Sequence, residues 1–237
     1  PWGQGPVALL QLALLEHFDL SGLDEGDPDF VHTVVECAKL AFADREAFYG
    51  DPDFVEVPMS ELLDRTYNQA RAGLVTDQAS LEIRPGSIAG QGGSVIVREA
   101  SEGGTGICAG EPTLAAMGAG GPGSANSPGL VRGDPCHFDI IDRWGNMISG
   151  TPSGGWLQGS PDIPELGFCL NARAQMFWLD ASSPAALAPG SRPRTTLSPG
   201  LALRDGEPYL AFGTPGGDQQ DQWALHVFLR HVHFGLN

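Results

Sequence analysis

Apolar residues follow a helical period early in the chain and an alternating one later. From Val7 to Phe18 they run nearly all round a helix, which predicts a buried element in place of an amphipathic surface one. Between Asp29 and Tyr49 they recur at Phe30, Val34, Cys37, Ala41 and Phe48, one face of a second helix that starts at Asp27-Pro28-Asp29 and stops at Gly50-Asp51-Pro52. Its opposite face, with Lys39 and Glu46, reads as solvated. A third helix is predicted from Ser60, as cap, to Ala72, with Leu62, Leu63, Tyr67 and Ala70 packing and Gly73 ending it. The period then drops to two. Residues 136–142 and 147–149 read as strands about the turn 143–146, and 201–204 and 208–212 as strands about Asp205-Gly206. A last helix is expected from Gln219 to about His233.

Between these halves, residues 85–133 are mostly Gly, Ser, Ala and Pro, with one short apolar run at 94–97. Such a stretch buries too little surface to offset its ordering entropy and is expected to be mobile. It suits either an interdomain linker or a tether that releases a new chain end, and composition does not choose between them.

With 237 residues the chain can form one large domain or two small ones. A net charge of -16 argues against nucleic-acid and acidic-lipid partners, because phosphate binding needs clustered Lys and Arg. Cys37, Cys108, Cys136 and Cys169 lie far apart, so neither a zinc site nor a dense disulfide framework is suggested, and the compartment stays open. No apolar run reaches the roughly 20 residues needed to cross a bilayer. No signal peptide is recognisable, and both ends fall in mid-pattern, as those of a fragment do. His226, His231 and His233 on the last helix lack a common face and an acidic co-ligand, so they read as solvated or capping groups. Trp144, Trp156, Trp178 and Trp223 read as packing residues.

Three stretches could carry chemistry. Gly3, Gly5 and Pro6 before the first helix could present N–H groups to an anion or simply start the helix tightly. Residues 150–160 form a Gly/Ser loop able to bring backbone close to a ligand. Gly216 and Gly217, between a strand and a helix N-terminus, can aim consecutive N–H groups at a developing oxyanion.

Gly133-Asp134-Pro135-Cys136-His137, a loose segment leading into a hairpin, resembles the maturation site of the γ-glutamyltransferase (glutathione hydrolase) family of N-terminal-nucleophile enzymes. The resemblance extends through Asp44-Arg45, Tyr49 to Phe54, Thr151-x-Ser153, Gly167 to Asn171, Arg192 to Pro199 and Thr214-Pro215-Gly216-Gly217. It implies an α/β fold, a four-layer αββα sandwich incomplete at both ends. Residues 1–134 would close a large subunit and 135–237 open a small catalytic one, the two forming a heterodimer after self-cleavage. The implied activity is amide hydrolysis or acyl transfer on γ-glutamyl compounds such as glutathione, without cofactor or metal. Carried over by position, Gly216 and Gly217 serve the oxyanion, Thr195 and Thr196 hold the substrate carboxylate, and Ser153 tunes the nucleophile. Asp44-Arg45 and the Gly-Asp-Pro-Asp turn are assigned no catalytic role. Gly217→Val is then expected to block the acyl carbonyl and spare the fold.

The departures bear on the same chemistry. Pro135 occupies the nucleophile position, where the family has Thr, and it has no hydroxyl. Cys136 is a nucleophile by chemistry but faces the other side of an alternating strand, and is expected to be a buried structural thiol. Gly155 stands where the family often has a substrate-binding Asn, and Arg173-Ala174-Gln175-Met176 replaces a segment with an Asp for the substrate amino group. Without that Asp a substrate amino group lacks its partner, so a dicarboxylic acyl amide is an expected substrate class, with Arg173 as a carboxylate binder. A non-catalytic relative that keeps the pocket as a ligand-binding module is the alternative.

Overall fold

The computed structural model describes residues 3–95, 136–153, 162–171 and 173–236. Pro135, Gly155, Trp156 and most of the predicted tether lie outside them.

Helix α1, Pro6–Leu15, is the centre of the helical layer, packed by α2 (Pro28–Phe48), α4 (Arg65–Ala72) and α5 (Gln220–Val232). Its all-round apolar character follows from that position: Val7, Leu10 and Leu14 are all but sealed from solvent. The Asp27 side chain caps α2 by accepting the Asp29 N–H at 2.9 Å, with Pro28 at the first helical position. Phe30, Val34, Cys37, Ala41 and Phe48 are all buried. The reverse face of α2 is drier than its charges predict. Glu36 is enclosed and pairs with Lys39 at 2.5 Å and Arg84 at 2.8 Å, so two cations answer one buried carboxylate.

The predicted third helix is two. Short α3, Met59–Leu62, stops before α4, because the Asp64 carboxylate accepts the Thr66 and Tyr67 N–H groups and starts a new helix. The expected tether is ordered where it begins. Strands β1 (Ser87–Ile88) and β2 (Gln91–Gly92) form a small antiparallel hairpin against α2. The Gly86 N–H donates to the buried Asp44 carboxylate at 2.7 Å, and a Cβ at Gly92 would lie 2.3 Å from the Phe48 ring. Composition misses this because the partners come from α2, not from the segment itself.

Strands β3 (Phe138–Ile141) and β4 (Met147–Gly150) pair antiparallel, with Asp142 accepting the Trp144 and Asn146 N–H groups in the turn. Strands β5 (Asp162–Ile163) and β6 (Phe168–Cys169) make a minor pair. Strands β7 (Gly200–Arg204) and β8 (Glu207–Phe212) turn about Asp205 and Gly206, both at positive φ, the conformation this two-residue turn demands. The two long hairpins pack together. Helix α5 joins the halves: Leu225 and Leu229 enter the α1–α2 core, Phe228 stacks on Phe212, and His231 bonds the Tyr209 hydroxyl at 2.8 Å.

Candidate functional site

The segment 192–198 is held from both ends of the chain. Asp51, in the Gly-Asp-Pro-Asp turn, accepts the Arg192 N–H at 2.7 Å and grips its guanidinium through both carboxylate oxygens. The turn is thus more than a local cap. Hydrogen bonding from Arg192 holds the Asp51 carboxyl far below the usual range. Three residues on, Thr195 forms a parallel bridge with Gly3, and its carbonyl accepts the Gln4 N–H at 3.1 Å. The glycines before α1 therefore serve close backbone contact and helix initiation. Thr196 is fully buried, and its hydroxyl oxygen accepts from Arg173, itself buried, at 3.5 Å.

Strand β8 runs out through Gly213 into the Gly216–Gly217 turn. Gly216 has φ +136° and Gly217 φ +62°, and a Cβ on Gly216 would lie 2.2 Å from the Trp223 ring. The turn therefore requires glycine at both places. Among the described residues neither N–H has an acceptor, and both stand at the N-terminal end of the 3-10 turn that leads into α5. The positive φ at Gly217 corrects one expectation: Gly217→Val would strain the backbone itself, since a β-branched residue is disfavoured there, and cannot be read as a simple block.

The two segments lie side by side. Arg194 pairs with Asp218 at 2.7 Å, and the Ser198 N–H donates to the Gln220 amide oxygen at 3.2 Å. Thus Thr195 and Thr196 sit beside the turn that carries Gly216 and Gly217, with Arg173 reaching Thr196.

Where the chain enters β3 and leaves β4, His137 lies between the Thr151 hydroxyl and the Asp139 carboxylate, 2.8 Å from each. Its ring fills the space a Cβ at Gly213 would need, 2.3 Å away, so the hairpin abuts the strand that leads to the glycine turn. The Ser153 hydroxyl is buried and without a partner among the described residues. Cys136 is exposed, not buried as expected, because the face of β3 opposite His137 is open. Trp144 and Trp223, expected to pack, are substantially exposed, though Trp223 covers Gly216 and Arg143 stacks on Trp144. His231 and His233 bond backbone carbonyls, those of Leu236 and Leu20. No cluster of three or more metal-ligating side chains occurs among the described residues.

Behind this arrangement lies a buried charged seam that pattern reading misses. Gln4, Arg45, Arg194 and Asp221 meet there, from α1's leading turn, α2, the 192–198 segment and α5, with the half-buried Asp218 of the 3-10 turn at their edge. Asp221 is sealed from solvent, and among the described residues neither oxygen has a partner of good hydrogen-bond geometry, although Ser198 and Gln4 lie close enough to favour its charged form. Burial pushes its carboxyl up to about 7, aided by Asp218 and opposed by Ser198, Arg45 and Gln4. A feature available in the sequence is the acidic pair at 218 and 221, inside a helix start, with Arg194 as the matching cation. Its depth is not.

Helices covering paired hairpins, with a glycine turn beside a hydroxyl and cation shelf, make a mixed α/β architecture whose solved neighbours have the N-terminal-nucleophile hydrolase fold. The family model for gamma-glutamyltranspeptidase matches residues 1–237, and the chain belongs to that family. It is 29% identical to the glutathione hydrolase proenzyme of Bacillus subtilis over 100% of this chain and 37% of that protein. A solved structure of LmbA2991T421A is 52% identical, covering 97% of this chain and 36% of that one with a TM-score of 0.74. Cephalosporin acylase from Bacillus halodurans is 25% identical, covering 100% and 35%, with a TM-score of 0.70. The chain thus spans little more than a third of the length of these relatives. No helix among the described residues is long and apolar enough to cross a membrane.

Proposed function

We propose that these residues belong to an amide hydrolase or acyltransferase of the gamma-glutamyltranspeptidase family, residues 1–134 closing its large subunit and 135–237 opening its small one. The substrate is a γ-glutamyl compound or, better matched, an amide of a dicarboxylic acid. The observation that carries the reading is the proximity of Thr195, Thr196 and Arg173 to the Gly216–Gly217 turn. A carboxylate at the shelf would be met by two hydroxyls and a guanidinium. The acyl carbonyl, a few bonds away, would turn its oxygen to the two glycine N–H groups, which stabilise the tetrahedral oxyanion most where charge develops.

The chain as written lacks the attacking hydroxyl. In self-cleavage a hydroxyl at 135 adds to the Asp134 carbonyl, the peptide N leaves as the protonated α-amino group, and water then hydrolyses the resulting ester to free the Asp134 carboxylate and the hydroxyl. The freed α-amino group then serves as base for the same hydroxyl in turnover. Pro135 supplies neither the nucleophile nor an N–H. Because the pocket residues stand without it, the second reading is a family member that binds such ligands without cleaving them.

The test replaces Pro135 with Thr in the protein and follows intact mass near neutrality, since an Asp-Pro bond breaks in acid and would mimic processing. Cleavage at 134–135 followed by turnover of a glutaryl or γ-glutamyl anilide is expected. A folded Pro135→Thr protein that stays a single chain would favour the binding module. Cleavage of the unaltered protein between 135 and 136, abolished by Cys136→Ala, would make the exposed Cys136 a working thiol.

A further inference from the structure

Gln4 is fully enclosed, and every polar atom of its side chain is assigned. Its amide oxygen accepts from Arg45 Nη1 at 2.8 Å and from Arg194 Nη1 at 2.9 Å, and its Nε2 donates to the Asp218 carbonyl at 3.4 Å. Because guanidinium groups only donate and a carbonyl only accepts, the amide has one workable orientation. The backbone of the same residue donates to the Thr195 carbonyl at 3.1 Å. One residue therefore touches both walls of the site: the threonine shelf through its main chain and the residue after Gly217 through its side chain.

We propose that Gln4 is a positioning residue for ligand binding, setting the separation between the Thr195–Thr196 shelf and the Gly216–Gly217 turn from a segment that precedes the maturation junction. The proposal rests on the reading of that shelf and turn as one acyl site. Chemistry singles out an amide at position 4. A carboxylate of the same size would satisfy both arginines but oppose the Asp218 carbonyl with a second acceptor and add negative charge beside Asp218 and Asp221. An apolar side chain would fill the volume and leave both guanidinium groups short of an acceptor. Arg194–Asp218 and Ser198–Gln220 tie the walls directly, so loss of Gln4 should shift their spacing more than it unfolds the protein.

Glutarate is the probe, its two carboxylates standing in for the substrate carboxylate and the acyl carbonyl. Its affinity is measured by calorimetry for the unaltered protein, Gln4→Glu and Gln4→Met, alongside melting temperature and amide spectra. The unaltered protein is expected to bind. Both variants are expected to bind roughly tenfold or more weakly while still melting cooperatively, in keeping with a lost bond to charged groups. The Gly216, Gly217 and Thr195 amide signals should move without ligand, a signature that a distant packing defect would not give. Folded variants that bind within about twofold of the unaltered protein overturn the inference and leave the acyl-site reading standing. Failure of the unaltered protein to bind glutarate overturns that reading, and the inference with it. Should both variants unfold, Arg45→Lys, which withdraws one donor from the Gln4 oxygen, must weaken glutarate as well. Unchanged binding there also overturns the proposal.

Discussion

Two buried regions meet at α5 and are built on opposite principles. Beneath α1 the packing is apolar, with Val7, Leu10, Phe30, Leu40, Leu62 and Leu225 closing on one another. Across the seam between Gln4 and Asp221 it is almost wholly polar. An apolar core tolerates exchange of one aliphatic side chain for another of similar volume, whereas a buried charged seam allows few arrangements that satisfy every donor and acceptor. The first region therefore secures the fold, and the second secures the relative placement of the shelf and the glycine turn.

The comparison breaks most sharply where a charge sits inside the helical layer. Asp44→Ala leaves Arg71, otherwise paired at 2.8 Å, buried without its carboxylate, and is expected to cost about 3–5 kcal/mol in chemical denaturation. A smaller loss, about 2–5 kcal/mol and nearer the middle of that range, is expected for Leu225→Ala, which opens a cavity in the shared core. The seam should respond with the opposite sign. Asp221 is raised from 3.8 to about 7, so between those values the native protein holds a proton that the unfolded chain has lost. Stability then falls as pH rises through that window. Asp221→Asn should flatten the slope and stabilise the protein at about pH 8 by an amount on the order of a few kcal/mol, with little change at about pH 4. Urea midpoints at the two pH values decide it, and an unchanged slope would show that another group sets the acid dependence. The mildest effect belongs to a helix end: Asp64→Ala removes the α4 cap and should cost about 1 kcal/mol.

The helices and both long hairpins were legible because their period and turn residues are local properties. The 3.6-residue stripe on α2, the Asp27-Pro28 start and the Asp205-Gly206 turn each state their structure within a few residues. The break at Asp64 was hidden because a mid-pattern aspartate can face solvent or cap, and only competition with the helix decides. The ion pairs of Glu36, Asp44 and Asp51 were not legible because their partners Arg84, Arg71 and Arg192 lie far along the chain. For the site, the glycine pair and the threonine pair could be picked out by resemblance. Gln4 could not, since a glutamine between two glycines carries no mark of the arginines that converge on it.

Helix α5 acts as a rigid rod with one end in the core and the other at the site. Its first turn follows directly on Gly217–Gln219, while Leu225 and Leu229 are wedged against the helical layer. A slip of one residue's rise along its axis, about 1.5 Å, would be transmitted whole to the glycine N–H groups. Acyl-transfer geometry loses most of its advantage over displacements of that size. Side chains remote from any ligand thus act as the stops of a mechanical gauge, and repacking around Leu229 becomes a way to detune the turn without touching it.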